Sequence, residues 1–452
     1  MWQCDRREGI RLKRTLVRDL SGQMDQQVTV QGYVHAIRDQ KVVQFLVVRD
    51  HTGMVQVVID RSADNQRLNE QVSALTKEST ISLTGRLVAN PRVRMGGMEI
   101  LCTDLSIESI ADPALPIDIF GRTETNLSKR LDWRFLDLRH PRNQLLLDVQ
   151  TTAEYAMRGF WIDNGFVEIH SPKIMGSPSE SGAELFALNY FGQTAYLAQS
   201  PQFYKQMAIA AGLERVFEIG PVFRADPSQT TRHAAEFTSI DMEISWITSH
   251  EDVMEMEESW LQHVLSQVAD KHGEAILEQF GVEIRVPSLP FPRIRMAAAQ
   301  EALAAAGYRP PADSRPGDLD PGGERLLYDL VRREHDHEFV FVTDYPVSVR
   351  PFYHMRQPDD PAITRSFDLI WKGVELTTGA QREHRYEVLA EQAREKGLSP
   401  ESIGFYLDFF RYGCPPHGGL GFGLGRMLML LLDLPSLREA TLLHRAQNRL
   451  MP

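Results

Sequence analysis

A polar loop with three basic side chains separates two apolar stretches within residues 216–245. Arg224 directly follows the first stretch, and Arg232 and His233 lie within the loop. Because a guanidinium group pairs with phosphate oxygens through two parallel hydrogen bonds, this arrangement suits a polyphosphate. Phe237 begins the second stretch and is placed to stack on a planar base. The pattern predicts a strand–loop–strand site for a polyphosphate.

Two pairs of carboxylates have spacings that suggest chemistry. Asp241 and Glu243 alternate with apolar residues, so they share one face of a strand. Burying both would be unfavourable without partners, so that face is either exposed to solvent or part of a site. Asp368 and Glu375 lie on neighbouring positions of a predicted hairpin. Two carboxylates near phosphates suit Mg²⁺, which binds protein and phosphate oxygens together.

Two further segments carry polar groups at regular spacing. Gln202 and Lys205 are three residues apart and would share one face of a helix, where the lysine could hold a carboxylate. A solvated helix face is the alternative interpretation. Glycine alternates with apolar residues over 418–425 and leads into Arg426 and a buried helix at Met427–Leu432. Such glycines let a ligand or helix approach a strand, although a plain glycine-rich strand remains the alternative.

The elements that position these groups fall into two predicted domains, residues 1–110 and 141–452, joined by a hinge at 111–140. The first has five short strands and one helix, at Asn65–Lys77, between the third and the fourth. The strands are predicted at 27–36, 42–49, 54–59, 80–88 and 98–102. This order is typical of an OB-fold barrel, with another small β-barrel equally open.

The second domain mixes helices and strands without strict alternation, which indicates an α+β fold. A helix is predicted over Arg142–Asn164, followed by a strand that ends at Pro172. Proline favours an edge strand or a strand end, and an edge is a natural dimer contact. The Pro-, Gly- and Asp-rich stretch Pro310–Gly323 is predicted to be an exposed loop.

The composition excludes several classes of protein. Of 452 residues, 42% are hydrophobic and 24% charged, so the chain as a whole is not disordered. With 49 Lys and Arg against 61 Asp and Glu, the net charge of −12 excludes a uniformly basic coat for nucleic acid, but not a local basic patch. The three cysteines are widely spaced and fit a reducing cytosol. We expect no secretory signal and no membrane span, since no apolar run reaches ~18 residues.

Taken together, these segments resemble the class II aminoacyl-tRNA synthetases. That family has a strand ending in an interface proline, a strand–loop–strand with an arginine, and a glycine-rich strand leading to an arginine and a helix. Pro172, Arg224 and Arg426 are similar to these three markers. The closer likeness is to the aspartate enzymes of the archaeal type, with an N-terminal OB-fold and an antiparallel catalytic sheet. Six strings carry it in order: AQSPQFYKQ, RVFEIGPVFRA, TTRH, EFTSIDMEIS, GAQREHR and YGCPPHGG.

The resemblance implies that the enzyme joins L-aspartate to ATP, forming aspartyl-adenylate, and transfers it to tRNA. Arg224 would stabilise the transition state at the α-phosphate, and Arg426 would hold the γ-phosphate, which makes both catalytic. Asp368 and Glu375 would bind Mg²⁺. The predicted ATP-binding residues are Arg224, Asp226, Arg232, His233, Phe237, Glu375 and Arg426.

The resemblance also implies a pocket for the amino acid. Lys205 and Arg382 would pair with the side-chain carboxylate, which discriminates aspartate from asparagine because an amide would leave buried charges unpaired. Asp241 and Gln202 would hold the α-amino group. Glu180 would close over the substrate from a loop.

For tRNA, the resemblance places the anticodon on the barrel. Phe45 would stack on a base, and Gln56 and Glu99 would hydrogen-bond to base edges. His35 resembles the histidine of relaxed enzymes, so tRNA(Asn) is an expected substrate beside tRNA(Asp), with a tRNA amidotransferase as a further partner. A homodimer through Pro172 and a cytoplasmic location are also expected.

The chain departs from the family pattern at Asp226, Ser181, Ala380 and Gly425. The family pattern has a glutamate in place of Asp226, a glycine in place of Ser181 and of Ala380, and an acidic residue in place of Gly425. These departures leave open a specialised copy that supplies activated aspartate to amidation or biosynthesis, or a tRNA-binding protein without ligase activity. Retention of the predicted catalytic and metal-binding residues argues against the second alternative.

Overall fold

The computed structural model describes residues 14–120, 123–177, 185–227, 230–399 and 403–451. The chain divides into two compact units, Met1–Thr125 and Asn126–Pro452. The predicted domain limits at 110 and 141 stay a prediction. Within the described ranges, no helix has both the length and the apolar character needed to cross a membrane.

The first unit is a closed five-stranded barrel with strand order β1-β2-β3-β5-β4. Its strands are β1 Gln27–Asp39, β2 Val43–Asp50, β3 Gly53–Asp60, β4 Thr80–Ala89 and β5 Met98–Ser109. Helix α1, Gln66–Ala74, lies between β3 and β4. The barrel predicted from the sequence is confirmed, because alternating β-branched residues fill its interior.

The second unit combines an eight-stranded sheet, a three-stranded sheet and ten helices among the described residues. Its helices are α2 Leu127–Asp132, α3 Arg134–Asp137, α4 Pro141–Asp163, α5 Gln202–Ala210, α6 Glu251–Phe280, α7 Met296–Ala305, α8 Pro321–His335, α9 Tyr386–Glu395, α10 Gly404–Arg411 and α11 Leu424–Leu431. The small sheet contains β7 Ile174–Met175, β8 Ala187–Tyr190 and β9 Gln193–Leu197.

The large sheet has the order β12-β13-β14-β15-β16-β11-β10-β6. In chain order its strands are β6 Val167–Glu168, β10 Arg215–Phe223, β11 Glu236–Ser245, β12 Arg293–Arg295, β13 Phe339–Thr343, β14 Ser366–Trp371, β15 Val374–Arg382 and β16 His417–Gly423. All neighbours are antiparallel except the β12–β13 and β10–β6 pairs at the two edges. This confirms the α+β class.

Helices α4 and α6 cover one face of the large sheet. Trp161 of α4 stacks on Trp260 of α6 with ring centroids 4.7 Å apart, and Trp260 meets Phe422 of β16 edge-on at 5.1 Å. Ile240, Met242 and other apolar residues of β11 belong to the same core. Because side chains alternate along a strand, the acidic residues of β11 point to the opposite face.

Two local predictions differ from the structure. Helix α8 begins at Pro321, inside the predicted loop, because Asp320 caps it by accepting from Gly323 N at 2.9 Å and proline suits the first helical turn. The strand expected to end at Pro172 pairs only over Val167–Glu168. This short strand does form an edge of the sheet, as predicted.

Candidate active site

The two acids of β11 lie directly against the glycine-rich strand β16. Asp241 pairs with Gly421, and Glu243 pairs with Gly419. A Cβ atom at Gly419 would lie 2.2 Å from Oε2 of Glu243. Glycine is required there because the backbone carbonyl oxygen of Met242, 2.1 Å from that Cβ position, and the carboxylate of Glu243 occupy the space. Asp241 is 3% exposed and Glu243 0%, so the solvent-facing interpretation of this strand face is wrong.

Lys205 of α5 reaches the same carboxylates. Its Nζ lies 3.0 Å from Oδ1 of Asp241 and 3.3 Å from Oε2 of Glu243, and it donates to the carbonyl of Leu420 at 2.8 Å. Only 2% of Lys205 is exposed. The solvated helix face considered for this segment is therefore wrong for Lys205.

Arg382, at the end of β15, approaches Glu243 from the other side. Its Nε donates to Oε1 of Glu243 at 2.9 Å, and its Nη2 donates to the carbonyl of Gly419 at 2.9 Å. Burial opposes ionisation of Glu243, yet Arg382 and then Lys205 hold the pKa of this carboxyl below its usual value. The structure thus brings the two predicted side-chain ligands onto one buried carboxylate.

Gln202 is oriented by a hydrogen-bond chain. Its Nε2 donates to Oε1 of Gln206 at 2.8 Å, and Nε2 of Gln206 lies 2.9 Å from Nε2 of His417. Nδ1 of His417 lies 2.8 Å from the carbonyl of Pro415. A carbonyl only accepts, so Nδ1 carries the proton and Nε2 accepts from Gln206. This fixes the amide of Gln202 and leaves its Oε1 as an acceptor.

His354 contacts Arg382 and was not anticipated from the sequence. Its Nε2 lies 3.1 Å from Nη1 of Arg382, and since a guanidinium only donates, the imidazole accepts and is neutral. Burial, together with the positive charge of Arg382, lowers the pKa of His354 well below its usual value. Gln206 and His417 were likewise assigned no role, although both lie within strings that carry the resemblance.

The predicted phosphate-binding cations converge at the other end of β11. Arg224 follows β10, and its guanidinium carbon lies 5.5 Å from the ring centroid of Phe237. Burial lowers the pKa of His233, and the charges of Arg426, Arg224 and Arg232 lower it further. Three arginines thus lie close enough to influence one imidazole, an arrangement that suits a polyphosphate.

Two of these arginines are held by acidic residues. Nη1 of Arg232 donates to Oε2 of Glu324 at 2.9 Å. Nη1 of Arg426 donates to the backbone carbonyl of Glu375 at 2.9 Å and to its carboxylate Oε1 at 3.4 Å. Glu324, at the start of α8, was not predicted, because the stretch before it was interpreted as a loop. Its capping aspartate and N-terminal proline were the signals that could have placed it.

The predicted metal-binding pair shares one face of the β14–β15 hairpin. Asp368 lies opposite Thr378, and Glu375 lies opposite Ile370 after a register shift. Nη2 of Arg350 donates to Oδ2 of Asp368 at 2.7 Å, whereas the buried Oδ1 has no partner within the described ranges. Desolvation and the charge of Asp368 raise the pKa of Glu375 to about 7.

The remaining predicted site residues are placed as follows. Glu180 and Ser181 lie outside the described residues. Oδ2 of Asp226 lies 3.7 Å from Nε2 of His233, on the phosphate side of the site. Ala380 is buried within β15. Their roles in binding stay predictions.

On the barrel, Phe45, Gln56 and Glu99 share the outer face, because the residues between them fill the interior. Nε2 of Gln56 donates to Oε2 of Glu99 at 2.8 Å. His35 sits at the register shift of β1, where Nη1 of Arg49 donates to its Nδ1 at 3.0 Å. Four predicted anticodon residues are thus held on β1, β2, β3 and β5.

Pro172 is exposed between β6 and β7. Four apolar side chains near it in sequence are exposed: Tyr155 80%, Ile162 58%, Val167 46% and Ile174 48%. An apolar group of this kind is typical of an interaction surface.

The geometry agrees with comparisons to known proteins. Residues 126–447 match the family model of tRNA synthetases class II (D, K and N), and residues 28–108 match that of the OB-fold nucleic acid binding domain. The chain is 42% identical to the aspartate–tRNA(Asp/Asn) ligase of Aeropyrum pernix, over 94% of this chain and 95% of that one. It is 40% identical to the aspartate–tRNA(Asp) ligase of Thermococcus kodakarensis, over 97% and 98% of the two chains.

A solved structure shows the same architecture. The asparaginyl-tRNA synthetase of Pyrococcus horikoshii with asparaginyl-adenylate superimposes with a TM-score of 0.89 at 30% identity, over 98% of this chain and 100% of that one. The synthetase family model spans well over half of the chain, and the relatives align with nearly all of it. The chain therefore belongs to the class II tRNA synthetases of the D, K and N group.

Proposed function

We propose that the protein is an aspartate–tRNA ligase, which activates L-aspartate with ATP and transfers it to tRNA(Asp) and tRNA(Asn). The observation that carries the proposal is the pair of cations, Lys205 and Arg382, bonded to the same buried Glu243. Two cations in a buried pocket suit a substrate with an acidic side chain. The relatives named as aspartate ligases support the same choice.

The pocket has a complementary group for each charge of aspartate. Lys205 and Arg382 would pair with the side-chain carboxylate, and the carboxylate of Asp241 and Oε1 of Gln202 would accept from the α-ammonium. An asparagine side chain would place its amide N–H donors against a buried cation instead of a second oxygen acceptor, which penalises binding. Glu180 is proposed to close the pocket.

Positioning and charge stabilisation account for the chemistry at ATP, because the protein forms no covalent bond in this scheme. Arg224 would stabilise the α-phosphate while the α-carboxylate of aspartate attacks it and pyrophosphate leaves. Arg426, Arg232 and His233 would hold the terminal phosphate. Phe237 would stack on adenine, with Asp226 nearby.

Asp368 and Glu375 fit a magnesium site. The buried Oδ1 of Asp368 has no partner among described groups, and burial together with the charge of Asp368 raises the pKa of Glu375, so a cation at these carboxylates would be favourable. Mg²⁺ commonly binds one or two carboxylates together with substrate phosphates. When bound, it would neutralise phosphate charge as the bond to pyrophosphate breaks.

The anticodon would bind the outer face of the barrel through Phe45, Gln56 and Glu99, with His35 relaxing the choice between the two tRNAs. Asp-tRNA(Asn) must be amidated before use in translation, so an amidotransferase is a proposed partner.

We also propose a homodimer through the exposed apolar residues around Pro172. The described cysteines, Cys102 and Cys414, are free thiols, which supports a cytoplasmic location.

Charging of separate tRNA(Asp) and tRNA(Asn) transcripts with labelled aspartate, ATP and Mg²⁺ tests the proposal. We expect both to be charged, and charging of tRNA(Asp) alone would refute the relaxed specificity. Aspartate-dependent pyrophosphate exchange without charging of either would indicate the specialised copy. Absence of both reactions would refute the ligase assignment.

We expect Phe45→Ala to weaken use of tRNA by about 1–3 kcal/mol, the contribution of one base stacked on an aromatic ring. The KM for tRNA should rise, while aspartate-dependent pyrophosphate exchange should not change. Steady-state aminoacylation measures the first and exchange the second.

Val42→Ala is the matched control, because Val42 precedes β2 and is 72% exposed, with no predicted base contact. An unchanged KM for tRNA in Phe45→Ala would show that the anticodon does not bind this face.

A further inference from the structure

Residues 435–449, which we call the C-terminal segment, lie along the predicted ATP loop. The amide of Ala235 donates to the carbonyl of Arg445 at 2.9 Å. The carbonyl of Ala235 in turn accepts from the amide of Arg224 at 2.9 Å. Arg445 is therefore separated from the predicted catalytic arginine by a single residue of the loop.

The path of this segment is fixed by Arg134 of α3, which is 1% exposed. Nη2 of Arg134 donates to the carbonyls of Glu439 and Thr441 at 3.0 and 2.9 Å, and its Nε donates to that of Leu442 at 3.3 Å. Bonds from one buried guanidinium to three backbone carbonyls within residues 439–442 leave that stretch little freedom.

Gly425 allows the segment to approach helix α11. A Cβ atom at Gly425 would lie 2.6 Å from Cδ1 of Leu437. The amide of Leu437 also donates to the carbonyl of Thr231 at 2.9 Å. A larger residue at position 425 would therefore require the side chain of Leu437 to shift.

The segment presents a cluster of basic groups. Reciprocal backbone hydrogen bonds between Ala446 and Arg449, at 3.2 and 3.0 Å, form a tight turn next to Arg445. His444 is 3% exposed, and neither of its ring nitrogens has a partner among the described residues. Burial and the charges of Arg438, Arg449 and Arg445 lower the pKa of His444 to about 4.

Two features of this cluster indicate an anionic ligand. A neutral imidazole carries one N–H, and a buried N–H without an acceptor is unfavourable. Arg445 is partly exposed and has no carboxylate within ion-pair distance among the described residues. An anion beside Arg445 and His444 would supply both missing partners.

On the basis of the proposed ligase function, we propose that Arg445, with His444 beside it, binds a backbone phosphate at the acceptor end of tRNA. Arg449 of the same cluster is instead paired with Asp132 at 2.8 Å and bonded to Ser128. The chain carries a net charge of −12, so attraction of a polyanion must come from local basic groups. The cluster lies beside the loop where the terminal adenosine must meet the adenylate. Phosphates next to that adenosine are the anions brought to this position in the transfer step.

Arg445→Ala tests the proposal, because its backbone bond to Ala235 is kept. We expect the Kd for tRNA in filter binding without ATP, and the KM for tRNA in charging, to rise about tenfold, the loss of one charged hydrogen bond. The slope of log K against log salt should fall by roughly 0.7–0.9, the value for one phosphate contact. Aspartate-dependent pyrophosphate exchange, which needs no tRNA, should be unchanged.

Arg445→Lys should recover part of the affinity and most of the salt slope, since it keeps the charge. Arg411→Ala is the matched control, because Arg411 is an exposed arginine of α10, 58% exposed in its side chain. A raised KM for ATP in exchange, with unchanged tRNA binding, would show that the cluster binds ATP phosphates and would overturn the proposal. Equal effects in the Arg445 and Arg411 variants would also overturn it. Binding is measured without catalysis, so failure of the proposed ligase activity would be seen separately.

Discussion

Lys205→Met is expected to reduce aspartate-dependent pyrophosphate exchange by roughly 10²–10³-fold, with tRNA binding unchanged. Lys205 is 2% exposed and contacts both Asp241 and Glu243, so no water replaces the lost ammonium. Truncating one partner of a buried, hydrogen-bonded charge pair typically costs about 2–5 kcal/mol. The cation that would pair with the substrate carboxylate disappears at the same time.

The same substitution leaves two buried carboxylates with only Arg382, so a loss of folding must be separated from a loss of binding. Adding Asp241→Asn to Lys205→Met removes the carboxylate charge that Lys205 had paired, whereas Glu243 keeps its pairing with Arg382. We expect the double variant to regain thermal stability but not exchange activity. Recovery of exchange in the double variant, or undiminished exchange in Lys205→Met, would remove Lys205 from the aspartate pocket.

In this pocket, the sequence predicted which residues share a face of one strand or one helix, but not the contacts between distant elements. Alternation along residues 240–244 placed Asp241 and Glu243 on one face of β11, and the three-residue spacing placed Gln202 and Lys205 together on α5. What these groups contact was not predictable. Glu243 binds Arg382, 139 residues away, and the registers of β11 and β15 against β16 decide that contact.

The glycines of β16 illustrate the same limit. Their alternation indicated a close approach to the strand, and the expected occupant was a ligand or a helix. In the structure, the space at Gly419 is occupied by the backbone carbonyl of Met242 and the carboxylate of Glu243, both from β11. The close approach could be predicted because glycine has few other uses in a strand interior, but its occupant depends on a neighbouring strand.

Glu324 was missed for a different reason. Arg232 donates to Glu324 from 92 residues away, and the glycine- and proline-rich sequence before Glu324 favoured a loop. The same sequence contains a capping aspartate and a proline at the first helical position, which are helix-start signals. The prediction gave more weight to the glycine and proline content of the stretch than to these two helix-start residues, so the start of α8 was not predicted.

Arg224→Gln is expected to lower kcat of pyrophosphate exchange by about 10²–10³-fold, the usual effect of removing one group that stabilises transition-state charge. Little structural damage is expected, because the exposed side chain of Arg224 contacts only Phe237 in the described part of the site. The KM for aspartate should change little, since the proposed contact is to the α-phosphate. Exchange kinetics at saturating ATP and aspartate separate the two parameters.

Arg215→Gln, at the opposite end of β10, is the matched control, because Arg215 is also exposed and also lies beside an aromatic ring, that of Phe166. Arg224→Lys should recover only part of the rate, since an ammonium restores the charge but not the two parallel hydrogen bonds. A rise in the KM for aspartate with kcat unchanged would move Arg224 from the reacting phosphate to the amino-acid pocket. Lys205 and Arg224 lie on different elements. A raised KM for aspartate in Lys205→Met, together with a lowered kcat in Arg224→Gln, would divide the site into a recognition end and a reacting end.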